Sequence, residues 1–320
     1  MLLILTSDKD LTADFLIVEL INRHLRYFRL NAEELTKADF TFSLTENTVR
    51  REVSIGTRTL DLNEVEAVWY RRAIHPGSIT GLSRGERVFV SGELRHLAMG
   101  LVLNPDVTWV NPIDKVSVAE HKLYQLQIAR QSGFRVPRTL VSRDPLELRS
   151  FAAANQFGTI CKPIFHGMFV DDASSYSVYT RRVTPESFDA DSVNICPVLL
   201  QEEIVRSADV RATFIGPQCF VADIKGDPSL VDWRDPDVPV SYSVSGLSDE
   251  VQRMCREMLM KLGLNYGAFD FVRTPEDDLV FLEVNPTGEW AWLEDRLGFP
   301  MRDALIQLFY DDCDESSIYC

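Results

Sequence analysis

The amino-acid sequence predicts a mixed α/β and α+β chain built from more than one packed unit. Three observations lead there. Residues 1–30 read as strand, helix, strand, the opening of a small α/β unit. The second half carries strand pairs joined by tight turns, at Gly216-Pro217 and at residues 274–278, which is antiparallel chemistry. At 320 residues the chain has room for two or three such units.

Composition is ordinary for a soluble globular protein, 45% hydrophobic and 25% charged. No apolar run approaches membrane-spanning length. Leu2-Leu-Ile-Leu5 meets Thr6-Ser-Asp8 at once and reads as a first strand, not a signal peptide. The six cysteines (Cys161, Cys196, Cys219, Cys255, Cys313, Cys320) show no metal-ligand spacing, the usage expected of a reducing, cytoplasmic setting. A net charge of −15 argues against nucleic acid and against an anionic membrane surface. It allows an anionic small ligand in a local basic pocket. Basic residues do recur beside apolar runs, at Arg71-Arg72, Lys162, Arg181-Arg182, Arg211, Lys225 and Arg234.

Taken in order, residues 1–6 form a buried strand. Residues 12–24 have helical apolar spacing at Phe15, Val18, Leu20 and Ile21, and residues 27–30 form the next strand. Residues 40–44, 51–55 and 58–62 read as a meander around Gly56, and 65–71 as a central strand. Residues 84–103 are helical, with Phe89, Leu94, Leu97, Met99 and Leu101 as the apolar set. A short strand at 108–110 ends at Asn111-Pro112, where the first boundary falls. Residues 117–132 read as one helix, with Ser117 and Glu120 as a capping box, Leu123, Leu126 and Ala129 as the buried stripe, Lys122 at its middle and Gly133 as its stop. A strand near 134–141, a helix over 144–155 and a strand over 159–163 follow. Lys162 then stands beside Ile164-Phe-His-Gly-Met168 and a strand over 174–180. A surface lysine is one reading; the other is a hairpin that closes over phosphates, which backbone N–H groups and a lysine suit. Residues 198–205 start apolar and turn acidic, 209–214 and 219–224 pair around the Gly216 turn, and 249–262 form a helix stopped by Gly263. Residues 303–309 close the fold ahead of an acidic tail, 311–320.

The most informative stretch is 280–292. Alternation places Glu283 and Asn285 on one strand face with Phe281 behind them, and Val280, Leu282 and Val284 on the other. Pro286 ends the ladder. A second strand at 266–272 precedes it. If Thr274 pairs with Leu279, Asp270 falls opposite Glu283. Asp270, Glu283 and Asn285 are then three hard oxygen ligands on one hairpin face, a holder for a magnesium–nucleotide. Two ordinary acids on a wet face is the plain alternative.

The ordered set Asn111-Pro112, Lys122, Val136-Pro-x-Thr139, Lys162-Pro163, Gln201-Glu-Glu-Ile204, Asp209-x-Arg211, Asp270 and Glu283-x-Asn285 resembles the ATP-grasp ligase superfamily. Val68-Trp-Tyr-Arg-Arg72, Asp232-Trp-Arg234, Asn285-Pro-Thr-Gly-Glu-Trp290 and Leu297-Gly-Phe-Pro300 resemble its subgroup with a microviridin-ligase-type N-terminal domain, the graspetide maturases. The resemblance covers nearly the whole chain. It implies the ATP-grasp fold: an N-terminal pre-grasp α/β unit (1–110), a central subdomain with a phosphate-covering loop (111–195) and a C-terminal antiparallel subdomain with the metal site (196–310). It also implies that Lys122 and Lys162 contact phosphates of ATP. Gln201, Glu202, Glu203 and Ile204 would form the adenine hinge, Asp209 would take the ribose, and Asp270, Glu283 and Asn285 would hold Mg²⁺. Arg211 would steady the transferred phosphoryl group.

The implied activity is an ATP-dependent peptide ligase. It would activate Asp or Glu side chains of a ribosomal precursor peptide as acyl phosphates and close rings with Ser, Thr or Lys. A leader segment would guide recognition, and a homodimer is expected. A RimK-like ligase adding free amino acids, a non-catalytic nucleotide-binding scaffold and a kinase are the rivals. Individual residues also carry plain readings. Arg211 could be a structural partner of Asp209. Lys225 and Arg234 could clamp a substrate carboxylate or pair with nearby acids. Arg71 and Arg72 suit interdomain ion pairs, and His166 an exposed loop. Trp290 and Trp292 suit packing, and Glu289 and Glu294 could face substrate or solvent.

Overall fold

The computed structural model describes residues 1–72, 79–104, 106–165, 167–171, 174–189, 193–227, 231–233 and 239–310. The acidic tail, His166 and Arg234 lie outside the described residues. Among the described residues no helix is long and apolar enough to cross a membrane.

Strand β1 (Leu2–Thr6) leads through α1 (Leu11–Asn22) to β2 (Tyr27–Asn31). A meander β3 (Asp39–Leu44), β4 (Val49–Ile55), β5 (Arg58–Asp61) follows, then β6 (Ala67–Tyr70), α2 (Arg84–Val102) and β7 (Thr108–Val110). β2-β1-β6-β7 form a parallel sheet, and the meander pairs separately. β1 is buried from end to end, as an inner parallel strand covered on both faces should be. α1 is capped by the Asp10 side chain, which accepts from the Ala13 N–H. It turns Thr12, Ala13, Leu16 and Leu20 inward; Val18 and Ile21, placed in the apolar stripe by spacing, are exposed. The stripe leans because Phe15 packs edge-on against Trp290 from the far end of the chain. In α2 the buried set is Ala98, Leu101 and Val102, while Phe89 and Leu97 face out.

Next come α3 (Ile113–Ala119), α4 (Lys122–Gln131), β8 (Thr139–Ser142), α5 (Pro145–Ala154) and β9 (Thr159–Lys162). The hairpin β10 (Met168–Asp171)–β11 (Ser174–Ser177), β12 (Arg181–Val183) and β13 (Val198–Glu202) follow. β12-β9-β13-β8 form an antiparallel sheet. The single helix expected over 117–132 is two helices. Ser117 lies inside α3, His121 is the N-cap of α4, and the capping box does not form there. The break lets α3 pack on a later helix while α4 runs along a strand edge. It also puts Lys122 in the first turn of α4, not at a helix middle. Gly133 ends α4 with φ +94°, a conformation that favours glycine.

The last part is β14 (Ala208–Ile215), β15 (Gln218–Lys225), β16 (Ser241–Val244), α6 (Asp249–Leu262), β17 (Tyr266–Arg273), β18 (Leu279–Asn285), α7 (Ala291–Leu297) and α8 (Met301–Tyr310). Its antiparallel sheet is ordered β16-β15-β14-β17-β18. One face packs Phe214, Phe269, Phe271 and Phe281 against α6 and Phe134. Each buried ring contributes about 1.5–3 kcal/mol, which makes a stiff base for the other face.

The β17–β18 register contains an unforeseen feature. The turn is one residue wider than expected, pairing Arg273 with Leu279, and a bulge then inserts Leu282 between Phe281 and Glu283. The two differences cancel, so Asp270 does stand opposite Glu283. The bulge also changes the phase of the strand. Val280 and Leu282 face one side with Ile204 and Val272, whereas Phe281 and Val284 enter the phenylalanine core. Simple alternation had grouped Phe281 with Glu283; the extra residue undoes that grouping.

Candidate active site

A cleft of about 460 Å³ opens between the β12-β9-β13-β8 sheet and the outer face of the β14–β17–β18 sheet. Its walls follow from strand alternation. On β14, Val210, Ala212 and Phe214 enter the core, so Asp209, Arg211 and Thr213 take the opposite face. On β17, Phe269 and Phe271 enter the core, so Asp270 and Val272 take that face too.

One end of the cleft is apolar with a polar edge. Ile204, Val272 and Leu282 line it, beside Gln201 and Glu202 at the end of β13. Gln201 is buried. Its Nε2 donates to Thr139 Oγ1 at 3.1 Å, while its Oε1 has no hydrogen-bond partner among the described residues. A buried acceptor left so costs about 1–3 kcal/mol, and a cleft-lining one fits an incoming N–H donor. The Glu202 carboxylate accepts from the Arg138 N–H at 3.0 Å. Glu203 differs from expectation. Its carboxylate forms a two-pronged pair with Arg182 (2.8 and 2.6 Å) and its N–H donates to Gly158 O, so it does not line the cleft. Glu203 lies just past the end of β13, held against Arg182 and Gly158.

Lys122 and Lys162 both line the cleft, from α4 and β9. Lys122 Nζ donates to Pro163 O at 3.1 Å and stands 3.5 Å from Glu283 Oε2. Gly167, ahead of the β10–β11 hairpin, also lines it. A Cβ at Gly167 would come within 2.7 Å of Val178 O, so any larger residue would push the hairpin strands apart.

Asp270 and Glu283 line the cleft directly opposite one another, and Asn285 follows two residues on, across from Ala268. Arg211 pairs with Asp270 across β14–β17; its Nε lies 3.1 Å from Asp270 Oδ1. Arg211 is 8% exposed and reaches Asp270 from below the cleft surface, and its Nη1 lacks a hydrogen-bond partner among the described residues. Its neighbour is therefore Asp270, not the Asp209 two residues earlier. Asp209 lines the cleft with both oxygens 3.1 Å from Arg206 Nη1, a pairing that sequence spacing did not suggest. No group of three His, Cys, Asp or Glu side chains suited to a metal forms among the described residues. The candidate set is two carboxylates and an amide. These are hard oxygen donors on paired strands, and they fit Mg²⁺, which takes one or two carboxylates and leaves its other positions to water and phosphate.

Lys225 is not brought in. It is exposed at the end of β15, paired with Ser241, because the strand carries it past the cleft. Arg234 lies outside the described residues, though Asp232 and Trp233 before it line the cleft. Trp290 is fully buried, and Trp292 stacks obliquely with Trp233 and Tyr242. Glu294 binds Arg302. Glu289 binds Arg71, Arg72 and Thr12, so the two arginines form ion pairs with a residue far along the chain, and Arg72 lines the cleft besides.

Sequence reasoning missed Gln125. It is 3% exposed on α4, and its amide donates to Val284 O (2.8 Å) and Ala119 O while accepting from Val284 N–H (3.0 Å). β18 is an edge strand, and this side chain satisfies its open edge beside Glu283. The signal was present: Gln125 sits at helical spacing from buried Ile128 and Ala129.

Residues 1–117 match the family described as the MvdD pre-ATP grasp domain. Solved structures extend the likeness to nearly the whole chain. The macrocyclase MdnC of Microcystis aeruginosa MRC, bound with precursor peptide MdnA, is 30% identical over 97% of this chain and 99% of that one, with a TM-score of 0.85. The macrocyclase MdnB of the same organism is 26% identical over 97% and 99%, with a TM-score of 0.82. The RiPP-associated ATP-grasp ligase of Chryseobacterium gregarium, in complex with ADP and a leader and core peptide, shares the fold with a TM-score of 0.86 over 98% and 97% at 23% identity. No curated protein sequence matches.

Proposed function

The chain belongs to the graspetide-type ATP-grasp peptide ligases, and from that premise we propose that it cyclises a ribosomal precursor peptide through side-chain ester or amide bonds. The observation that carries the reading is the meeting of three groups in one cleft: the Asp270–Glu283 pair, the two lysines Lys122 and Lys162, and the Gln201–Ile204 segment.

Ile204, Val272 and Leu282 would hold the adenine of ATP, with Gln201 Oε1 free to accept from its exocyclic amine. Asp209 takes the ribose. Lys122 and Lys162 neutralise the phosphates, and Gly167 lets the hairpin backbone close over them. Mg²⁺, when bound by Asp270, Glu283 and Asn285, supplies charge neutralisation at the terminal phosphates. Lys122, beside Glu283, would be within reach of the phosphates, and Arg211 holds Asp270 from beneath. A carboxylate oxygen of the peptide attacks the γ-phosphorus and ADP leaves. A hydroxyl or amine of the same peptide attacks the acyl carbon, loses its proton, and phosphate leaves. Positioning and charge neutralisation carry the rate. Arg234, next to cleft-lining Trp233, suits a clamp for the peptide carboxylate. Residues 1–110, 111–195 and 196–310 act as pre-grasp, central and C-terminal units, in a cytoplasmic homodimer.

Intact-mass measurement of the precursor peptide after incubation with Mg²⁺-ATP tests the reading. Loss of one water per bond supports it. Gain of a residue mass points to amino-acid addition, and a stable phosphorylated product to a kinase; either overturns cyclisation.

A further inference from the structure

The turn that follows the candidate metal ligands is gripped from the first part of the chain. Arg71, 2% exposed at the end of β6, donates through Nη1 to Thr287 O (2.8 Å) and Gly288 O (3.1 Å). Its Nε and Nη2 reach Asp10 (3.2 and 3.3 Å), and Nη2 also reaches Glu289 (2.9 Å). Asn111, fully buried after β7, donates to Pro286 O (2.8 Å) and Tyr266 O (2.9 Å) and accepts from the Asn265 and Tyr266 N–H groups (2.8 and 2.9 Å). Tyr266 closes the set, its hydroxyl donating to Gly288 O at 2.7 Å. Three consecutive carbonyls, 286 to 288, are thus each held by a buried side chain. Such fully satisfied buried networks rigidify what they bind.

What they hold is the turn that follows Asn285. Thr287 N–H donates to Asn285 Oδ1 at 3.0 Å, so the turn sets the orientation of the Asn285 amide. Gly288 lies flat on the sheet. A Cβ there would come within 2.7 Å of Ala268 Cβ and 3.5 Å of Arg211 Nη1. The turn therefore also roofs the arginine that steadies Asp270.

We propose that Arg71, Asn111 and Tyr266 are positioning residues that together preset the metal end of the cleft by fixing the 286–288 backbone, Arg71 from the end of β6, Asn111 from the end of β7 and Tyr266 from the start of β17. The inference rests on the site reading above. Calorimetric titration of full-length protein with ADP, with and without Mg²⁺, tests it. Wild type is expected to bind ADP more tightly with Mg²⁺. Tyr266→Phe, which removes one hydroxyl and keeps the ring, is expected to hold metal-free ADP affinity within about twofold and to lose about tenfold of the Mg²⁺-dependent tightening. Arg71→Lys is expected to lose more; should it fail to fold, Tyr266→Phe decides alone. A Tyr266→Phe protein with a lower melting temperature but undiminished Mg²⁺-dependent tightening makes the three residues scaffold only and overturns the proposal. Absence of any Mg²⁺ effect in wild type overturns the site reading itself, and the proposal with it.

Discussion

Replacing Gln125 by Met should loosen the metal-side edge of the C-terminal sheet. The change keeps the volume and helix propensity of the side chain but deletes its amide. Three buried backbone groups then lose their partner: Val284 N–H, Val284 C=O and Ala119 C=O. Each unsatisfied group costs about 1–3 kcal/mol, and partial relief by water brings the sum to about 3 kcal/mol. That corresponds to roughly a hundredfold faster exchange of the Val284 amide. Hydrogen exchange read by mass spectrometry, with urea denaturation alongside, measures both. Gln125→Glu supplies a contrast. It keeps an acceptor for Val284 N–H but sets a carboxylate oxygen against two carbonyls, which raises its folded pKa. Its stability relative to the Met variant should therefore fall as pH rises above about 4.3, the unfolded glutamate value, and recover in acid. Unchanged Val284 exchange in Gln125→Met, with stability within about 1 kcal/mol of wild type, would refute the edge-satisfying role.

Two further outcomes follow from the same geometry. Burial opposes ionisation of Asp10, but the Arg71 guanidinium overrides it and, with Thr6, holds the carboxyl below its usual range. The stability it contributes is complete above the unfolded value of about 3.9 and is lost as pH falls through the lower folded value. Asp10→Asn should thus cost about 3 kcal/mol near neutrality and flatten the acid limb of thermal melts taken from pH 7 down to pH 3. Glu203→Gln breaks only a pair with the half-exposed Arg182. It should shift the melting temperature by the equivalent of less than about 1 kcal/mol and ADP affinity by less than about twofold; a larger loss of ADP binding would return Glu203 to the hinge.

Much of this was legible locally. Turn residues at 274–278, the Gly216 turn and the period-2 runs gave the C-terminal strands, because those signals are set by neighbours in sequence. The Asp270–Glu283 pairing was reached through a register that the bulge at Leu282 alters; a bulge has no strong sequence mark, so the faces of Phe281 and Leu282 were not recoverable. The α3–α4 break was hidden because helical spacing runs through it, while tertiary packing decides it: both helices touch α6, but α4 also runs along β18. Contacts spanning much of the chain were out of reach. Arg71 with the 287–289 turn, Asn111 with Tyr266, and Gln125 with Val284 depend on tertiary placement, and a lone buried polar residue announces only that some partner exists. Arg206 was nearer to hand, three residues before Asp209 and between two runs read as strands.

The central claim is that Asp270, Glu283 and Asn285 hold the divalent ion of a nucleotide. Anomalous scattering from Mn²⁺ in crystals grown with ADP measures this directly. The account expects a peak about 2.1 Å from carboxylate oxygens of both Asp270 and Glu283, with the ADP phosphates on its other side. A peak elsewhere in the cleft, or ADP bound with its phosphates away from this pair, would contradict it.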